Sequence, residues 1–290
     1  MHPILDLWQH LPSHVHPDIF SLGPIPIRWY SLMYMVALAV VYLLTSWRIR
    51  RGEIHTPPDP TSLFDLILSS IVGIILGGRL GYVFVYDPMY YVHHPAEAIL
   101  PFSWQGGFHY TGFTGMSYHG ALIGVVLVFL VMCRKRGWSL SELGDNLVPA
   151  VPLGYTFGRL GNFFNGELYG RVTTSAIGMY YPTAPGPGLR FPSELFEAAG
   201  EGLLLFVILW PLRNFKPYRG FLLGLYLVGY GVVRFLVEFT REPDPQLGFV
   251  LGPFSMGQIL CFLMAGAGAI VMITGWWNSR RTPAPAKRRR

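Results

Sequence analysis

The chain has 290 residues, of which 51% are hydrophobic and only 13% are charged, and its mean hydropathy is +0.38. Soluble domains carry roughly a quarter charged residues, so the composition argues against a soluble enzyme, a nucleic-acid-binding protein and a fibrous protein. Six Lys and Arg residues after residue 279 account for the net charge of +6. The composition therefore predicts a membrane protein whose basic end contacts anionic lipid.

Seven apolar stretches of about 20 residues, the length that crosses a bilayer, follow one another along the chain. They cover residues 29–47, 62–86, 116–133, 145–164, 193–212, 220–239 and 253–277. The fourth is interrupted by Pro149 and Pro152, and the fifth by Glu197 and Glu201. Such interruptions are tolerated inside a bundle, where neighbouring helices satisfy the freed groups. We therefore predict an all-α polytopic membrane protein with seven transmembrane helices.

Lys and Arg residues in short loops set the orientation of such a bundle. The segments after the first, third, fifth and seventh spans together hold 15 of the 22 positive residues. This bias places the N-terminus outside and the C-terminus inside. We expect an outer segment (1–28), a membrane domain (29–277) with irregular outer loops near 87–115 and 165–192, and a cytoplasmic basic tail (278–290).

Three arginines lie inside spans rather than at their basic ends: Arg79, Arg159 and Arg234. At about 1.5 Å per residue, each falls in the outer half of the membrane, where an arginine needs a partner inside the bundle. A single one could instead extend to the headgroups or pair with a structural acid. Three at similar depth, with Arg171 and Arg241 in the loops that follow, predict a phosphate site, because the guanidinium fork binds phosphate oxygens bidentately.

Two polar motifs carry the candidate chemistry. In the sixth span, Tyr230, Arg234 and Glu238 recur every four residues and share one helix face. This motif is either a structural Arg234–Glu238 pair or an arginine oriented by an acid to bind phosphate. The second motif ends the fourth span and comprises Arg159, Asn162, Asn165, Glu167 and Arg171. So many polar side chains directly after an apolar span favour a binding site over a packing device.

A histidine and a tyrosine stand at the outer ends of spans. His119 is either a helix cap or satisfied polar residue, or an imidazole that accepts a thiol or hydroxyl proton near neutral pH. Tyr30 belongs to an aromatic belt or contacts substrate. The histidines lack Cys partners and the HExxH spacing, so we expect no metal site. Cys133 and Cys261 lie in apolar stretches and are expected to be packing residues.

These motifs together resemble the bacterial prolipoprotein diacylglyceryl transferase family. The resemblance runs in order from about residue 19 to 277 and includes residues 29–34, 77–82, 117–120, 158–171, 229–238 and 255–258. It implies an inner-membrane enzyme that moves the diacylglyceryl group of phosphatidylglycerol onto the lipobox cysteine thiol of a prolipoprotein, forming a thioether and releasing glycerol phosphate. The implied partners are phosphatidylglycerol, the prolipoprotein signal peptide and membrane lipids, with no cofactor and no nucleic acid.

The resemblance also implies roles for individual residues. Arg159 and Arg234 correspond to the family's essential arginines, which would stabilise the leaving phosphate, and His119 to its debated histidine. The thiol must lose its proton to attack; His119 is the first candidate base, and Glu167 and Glu238 are its rivals. The residues expected to bind substrate are Tyr30, Arg79, Tyr82, Asn162, Asn165, Gly170, Arg171, Tyr230 and Arg241.

Three features depart from the family pattern. Ala121 stands where a second glycine usually follows the histidine, residues 108–115 look like an insertion, and Phe191 replaces a histidine. These changes spare the arginines but bear on the role of His119 and on the substrate-facing loops. The alternative function is a lipid or anion transport protein that binds with the same arginines. The concentration of polar groups in the outer half of the bundle favours the enzyme.

Overall fold

The computed structural model describes residues 3–22, 25–99, 102–103, 109–110, 115–242, 249–252 and 254–281. Most of the 108–115 insertion and all of the basic tail beyond residue 281 lie outside these ranges. The chain forms two compact units, one of residues 1–48 and 144–290 and the other of residues 49–143.

Helices make up most of both units. They are α1 (Pro3–His10), α2 (Trp29–Arg50), α3 (Pro60–Val85), α4 (Pro88–His93), α5 (Pro95–Ile99), α6 (Tyr118–Arg136), α7 (Leu140–Leu147), α8 (Val151–Asn165), α9 (Ser193–Glu197), α10 (Leu205–Leu212), α11 (Phe221–Val237) and α12 (Met256–Arg281). A 3-10 turn (Leu11–His14) follows α1, and a π-helical segment (Ala198–Leu204) joins α9 to α10.

Four helical segments of the described ranges are long and apolar enough to cross a membrane. They are Trp29–Arg50, Pro60–Val85, Ser193–Leu212 and Met256–Arg281. A shorter apolar helix, α11, lies in the sixth predicted span. The protein is thus a mainly helical membrane protein. Helices overlap all seven predicted spans, but the crossing of all seven and their orientation remain predictions.

The described residues include three short antiparallel hairpins, one of which lies in the loop near 87–115 that the sequence predicted to be irregular. The pairs are β1 (Asp18–Leu22) with β2 (Ile25–Arg28), β3 (Phe102–Ser103) with β4 (His109–Tyr110), and β5 (Phe249–Leu251) with β6 (Phe254–Ser255). In the first hairpin Asp18 pairs with Arg28, and their side chains form an ion pair of 3.2 Å. Pairing satisfies backbone groups that helices do not reach, which refines the all-α prediction.

The two interrupted spans differ in how they are built. The fourth is divided, because α7 ends at Leu147 and α8 begins with Pro152 in its first turn, where a missing N–H is tolerated. The fifth is continuous, so Glu197 and Glu201 interrupt its apolar sequence but not its helix. The chain stays helical from α9, which ends at the fully buried Glu197, through the π segment, which holds the fully buried Glu201. Their partners, described below, make the burial possible.

Glycines let α3 and α6 pack closely in the unit of residues 49–143. A Cβ on Gly77 would lie 2.3 Å from the Gly120 carbonyl oxygen, and a Cβ on Gly124 would lie 2.0 Å from the Gly73 oxygen. Such backbone contact is available only to residues without a side chain, as in other membrane helix pairs. Gly120 of the histidine motif is therefore a packing residue.

Arg48, one of the basic residues that follow the first predicted span, is fully buried. Its guanidinium donates to the Asn146 carbonyl oxygen at 2.5 Å and to the Arg213 carbonyl oxygen at 3.0 Å. Beside it, Asp145 accepts from the backbone N–H groups of Gly220 and Leu223, at 2.7 and 2.9 Å, and so caps α11. This polar network holds the ends of several helices together.

Candidate functional site

Three arginines from separate segments converge on one glutamate. Arg159 comes from α8, Arg234 from α11 and Arg241 from the turn after α11. Glu197, at the end of α9, forms ion pairs with all three: Arg159 Nε lies 2.6 Å from Oε2, while Arg234 Nη1 and Arg241 Nη1 lie 3.3 and 2.8 Å from Oε1. Glu197 has no solvent exposure. Its charge offsets the repulsion of three guanidinium groups in a low-dielectric setting.

Two more glutamates complete the ion-pair network. Arg234 Nη2 lies 2.8 Å from Glu238 Oε2, and its Nη1 lies 3.9 Å from Glu201 Oε1. Arg241 Nε lies 3.6 Å from Glu238 Oε2. The Arg234–Glu238 pair exists, but as part of this larger network rather than as an isolated structural pair. We call the three arginines with Glu197, Glu201 and Glu238 the arginine–glutamate cluster.

Two tyrosine hydroxyls connect to the cluster from α8 and α11. The Tyr155 hydroxyl accepts from Arg159 Nε at 2.7 Å and donates to a carboxylate oxygen of Glu201. It also lies 3.3 Å from Glu197 Oε2. The Tyr230 hydroxyl donates to that of Tyr155 at 3.4 Å. Tyr155 therefore links Arg159 to both acids of the fifth span.

The arginines of the cluster are more accessible than the acids. Their side chains keep 15% to 19% exposure, whereas those of Glu197 and Glu201 keep none. An anion that approaches the cluster consequently meets guanidinium groups first. Because each fork is already held by an acid or a tyrosine, little reorientation is needed to bind phosphate oxygens, which is the property of a preorganised anion site.

Polar residues at the C-terminal end of α8 and directly after it orient Arg159. Asn162 Oδ1 accepts from Arg159 Nη1 at 3.2 Å, and Asn162 Nδ2 donates to Glu167 Oε1 at 2.8 Å. Asn165 Nδ2 donates to Glu167 Oε2 at 2.9 Å. The turn that returns Glu167 to Asn162 is made by Gly166, which caps α8 in the left-handed conformation. Asn162 and Glu167 thus extend the network outward from the cluster.

Gly170 and Arg171 contact the backbone that carries Arg241. A backbone bridge joins Gly170 to Arg241, and a Cβ at Gly170 would lie 2.1 Å from the Thr240 carbonyl oxygen. Arg171 Nε donates to the Arg241 carbonyl oxygen at 2.6 Å. Tyr30, at the start of α2, packs its backbone near Gly161 of α8, two residues beyond Arg159. These predicted substrate-binding residues therefore surround the cluster.

Arg79 and Tyr82 belong to the other unit. Arg79 is buried, and its guanidinium donates to the backbone oxygens of Ala98, at 2.9 Å, Gly115, at 3.3 Å, and Glu97. These bonds hold the connection after α3 and favour a structural role for Arg79 over the predicted contact with substrate. The Tyr82 ring stacks on Tyr86 with centroids 5.4 Å apart.

His119 also belongs to this unit, in the first turn of α6. Its side chain is exposed. The helix cap is Ser117, whose hydroxyl accepts from the Gly120 N–H at 3.1 Å. The alternative that His119 itself caps the helix is therefore wrong, and its imidazole faces outward from α6.

Sequence reasoning missed the acids of the fifth span and the tyrosine that binds them. Glu194, Glu197 and Glu201 are spaced three and four residues apart, which places them on one helix face. Ionisable residues in a span mark functional sites by default, so this spacing was the available signal. Tyr155 carried no such signal, because a tyrosine in an apolar helix is common. The Tyr181 hydroxyl donates to Glu194, and burial together with that carboxylate raises the pKa of Tyr181.

Comparison with known proteins places the chain among the prolipoprotein diacylglyceryl transferases. A model of the prolipoprotein diacylglyceryl transferase family matches residues 17–274. The phosphatidylglycerol–prolipoprotein diacylglyceryl transferase of Chlorobaculum tepidum is 50% identical over 275 residues, which are 94% of this chain and 93% of the relative. Enzymes of the same name from Bordetella avium and Francisella tularensis subsp. novicida are 45% and 41% identical, over 92% of this chain and 97% and 96% of their own lengths.

Proposed function

Since the chain belongs to the prolipoprotein diacylglyceryl transferase family, we propose that it transfers the diacylglyceryl group of phosphatidylglycerol to the lipobox cysteine thiol of a prolipoprotein. The observation that carries the proposal is the similarity over nearly the whole chain to relatives named for transfer from this lipid to prolipoprotein. The transport alternative finds no support in those names. The enzyme works in the bacterial inner membrane, with its site toward the outer leaflet.

The reaction exchanges one bond to the glyceryl carbon for another. The cysteine sulfur forms a bond to that carbon, and the bond from the carbon to the phosphate oxygen breaks. The departing oxygen keeps the electron pair, so glycerol phosphate leaves as a monoester with more negative charge than the diester had. The thiol proton passes to a base. Catalysis therefore requires cations where the phosphate charge grows and a proton acceptor near the thiol.

The arginine–glutamate cluster is suited to the growing phosphate charge. Arg159 and Arg234 bind the phosphate, and Arg241 adds a third guanidinium. Glu197 keeps the three forks together when no lipid is bound. Glu197 and Glu201 are fully buried and Glu238 nearly so, so the acids hold the arginines in place while the more exposed guanidinium groups bind the anion. The arrangement lowers the energy of the transition state by preorganisation rather than by new contacts during the reaction.

Contacts of the two rival acids favour His119 as the base. Glu238 Oε1 accepts from the Ser255 hydroxyl at 2.9 Å, and its Oε2 pairs with Arg234. Both oxygens of Glu167 accept amide hydrogens from asparagines. In both acids the carboxylate oxygens that would receive the thiol proton already have hydrogen-bond or ion-pair partners. The His119 side chain is exposed, and a neutral imidazole can accept a thiol proton.

A transfer assay tests the proposal. Purified protein in phosphatidylglycerol vesicles is incubated with a lipobox peptide, and the diacylglyceryl mass gain is measured. Arg159→Ala and Arg234→Ala are expected to lower the rate by about 100-fold or more. Arg213→Ala is the matched control, because the Arg213 guanidinium stacks on Trp47 and Trp210 and is outside the cluster.

The two parts of the proposal fail in different ways. Normal rates in both arginine variants would contradict the phosphate site and leave the reaction intact. An inactive parent protein, with an active family enzyme in the same vesicles, would contradict the reaction itself.

A further inference from the structure

The motif at residues 255–258, one of those that resemble the family, forms the first turn of α12. The Ser255 hydroxyl oxygen accepts from the Gln258 N–H at 3.2 Å, and Gln258 Oε1 accepts from the Ser255 N–H at 3.1 Å. This reciprocal pair is a capping box, which satisfies N–H groups that the start of a helix leaves without partners. Both residues are buried. The two bonds therefore fix the position of the Ser255 hydroxyl.

The same hydroxyl contacts the arginine–glutamate cluster. A serine hydroxyl has one hydrogen to donate while its oxygen accepts another, and Ser255 donates this hydrogen to Glu238 Oε1 at 2.9 Å. The second oxygen of that carboxylate, Oε2, lies 2.8 Å from Arg234 Nη2. One carboxylate thus joins the start of α12 to the arginine, and the hydroxyl bond sets the rotation of the carboxylate that faces Arg234.

Gly257 provides the space for the Glu238 carboxylate. A Cβ on Gly257 would lie 2.4 Å from Glu238 Oε1 and 3.1 Å from Oε2. Because the carboxylate is the end of a flexible side chain, a larger residue at position 257 would displace the carboxylate rather than the helix. Gly is a poor helix former, so the helix itself does not require a glycine here. The position of Glu238 requires it.

We propose that Ser255 and Gly257 are positioning residues that hold the Glu238 carboxylate and, through it, the Arg234 guanidinium in the orientation that binds phosphate. The inference rests on the proposed transfer reaction and adds how one of its arginines is oriented. The phosphate gains negative charge as its bond to the glyceryl carbon breaks. A misdirected Arg234 should therefore lower kcat more than it raises the KM for phosphatidylglycerol.

Gly257→Ala tests the positioning role with little risk to the fold. Ala is the better helix former, and the three atoms nearest the new Cβ all belong to the Glu238 carboxyl group. Gly266→Ala is the matched control, since it lies in the same helix and nothing is within 4 Å of its new Cβ. Both proteins are assayed with a lipobox peptide in phosphatidylcholine vesicles that contain increasing fractions of phosphatidylglycerol, and their thermal midpoints are measured in detergent.

We expect the kcat of Gly257→Ala to be about 10-fold lower than that of the parent, with the KM for phosphatidylglycerol changed by less than about threefold. The thermal midpoint should stay at the parent value, and Gly266→Ala should match the parent in all three quantities. A Gly257→Ala protein with the kcat of the parent would overturn the proposal.

Ser255→Ala, made with and without Glu238→Ala, tests whether the effect passes through the carboxylate. Ser255→Ala also removes a helix cap, so the decisive quantity is the change in kcat compared between the two backgrounds. We expect Ser255→Ala to lower kcat by about fivefold or more when Glu238 is present and by less than about twofold when Glu238 is replaced.

Equal losses in the two backgrounds would overturn the proposal. So would a larger loss of kcat in Glu238→Ala than in Arg234→Ala, because a residue that only orients Arg234 cannot matter more than Arg234 itself. An inactive parent protein would instead contradict the transfer reaction, which distinguishes failure of the reaction from failure of the positioning role.

Discussion

At the scale of single residues, Glu197 decides whether three arginines can share one site. Guanidinium groups a few ångströms apart repel strongly where water is scarce, and Glu197 contacts all three of them. Glu238 and Glu201 each contact fewer. The carboxylate of Glu197 is therefore the charge that the cluster can least lose, although the residue itself has no solvent exposure.

Glu197→Gln tests this role. Removing one partner of a buried ion-pair network costs about 3–5 kcal/mol, so we expect a lower thermal midpoint and a transfer rate reduced by about 10-fold or more. Glu194→Gln is the control: Glu194 is equally buried, but its partner is the Tyr181 hydroxyl, from which a Gln carbonyl can also accept. Equal losses in the two variants would contradict the special role of Glu197. Both are measured by thermal unfolding in detergent and by the transfer assay.

The hydrogen bonds of Arg79 favour a structural role over the contact with substrate that the sequence predicted. Its guanidinium donates to three backbone oxygens of the connection after α3. Arg79→Ala leaves those oxygens without their donors, at about 1–3 kcal/mol each where no water replaces them. We expect a lower thermal midpoint with little change in the KM for phosphatidylglycerol below that midpoint. A raised KM in a variant as stable as the parent would restore the role predicted from the sequence.

At the scale of elements, the fifth span depends on its π-helical segment and on a glycine within that segment. The π segment Ala198–Leu204 keeps the fifth span helical through its buried acids, and π-helical turns recur at functional sites. Within it, Gly202 lets the segment approach Thr156 of α8, since a Cβ there would lie 2.1 Å from Thr156 Oγ1. Sequence periodicity cannot reveal a π turn, because the turn differs from an α-helix by one residue. The sequence therefore showed acids that interrupt an apolar stretch, whereas the structure shows that the helix continues through them.

Glycine packing between α3 and α6 makes a second element-scale prediction. Gly77→Ala places a Cβ 2.3 Å from the Gly120 oxygen, and overpacking of this kind costs about 1–3 kcal/mol. We expect a lower thermal midpoint in detergent. Gly266→Ala in α12 is the control, because nothing lies within 4 Å of its added Cβ and Ala is the better helix former. A Gly77→Ala protein as stable as the Gly266→Ala protein would show that α3 and α6 do not pack this closely.

At the scale of the whole molecule, the orientation predicted from basic loops can be measured in cells. Thr174 and Ser279 are both exposed, and they lie in the predicted outer loop and at the predicted inner end. A membrane-impermeant maleimide should label Thr174→Cys in intact cells and Ser279→Cys only after lysis. The two native cysteines are buried and provide the background. Labelling of Ser279→Cys in intact cells would reverse the predicted topology.

The sequence by itself determined the class of protein and its family. Charge content is a property of composition, so the membrane assignment needed no structure. Motifs around Arg159 and Arg234 carried the family resemblance because each motif is local in the chain. The same locality brought Asn162 and Glu167 into the predicted site, since they follow Arg159 by three and eight residues.

Only the tertiary structure decided how those arginines are held. Glu197 contacts residues from three separate segments, and no periodicity relates positions so far apart. Arg48 and Arg79 resemble a membrane anchor and a ligand-binding arginine in sequence, yet both donate to backbone oxygens that the fold places beside them. A buried charge requires a partner close by, because leaving it unpaired costs several kcal/mol. Which partner that is depends on three-dimensional proximity, which a linear pattern does not contain.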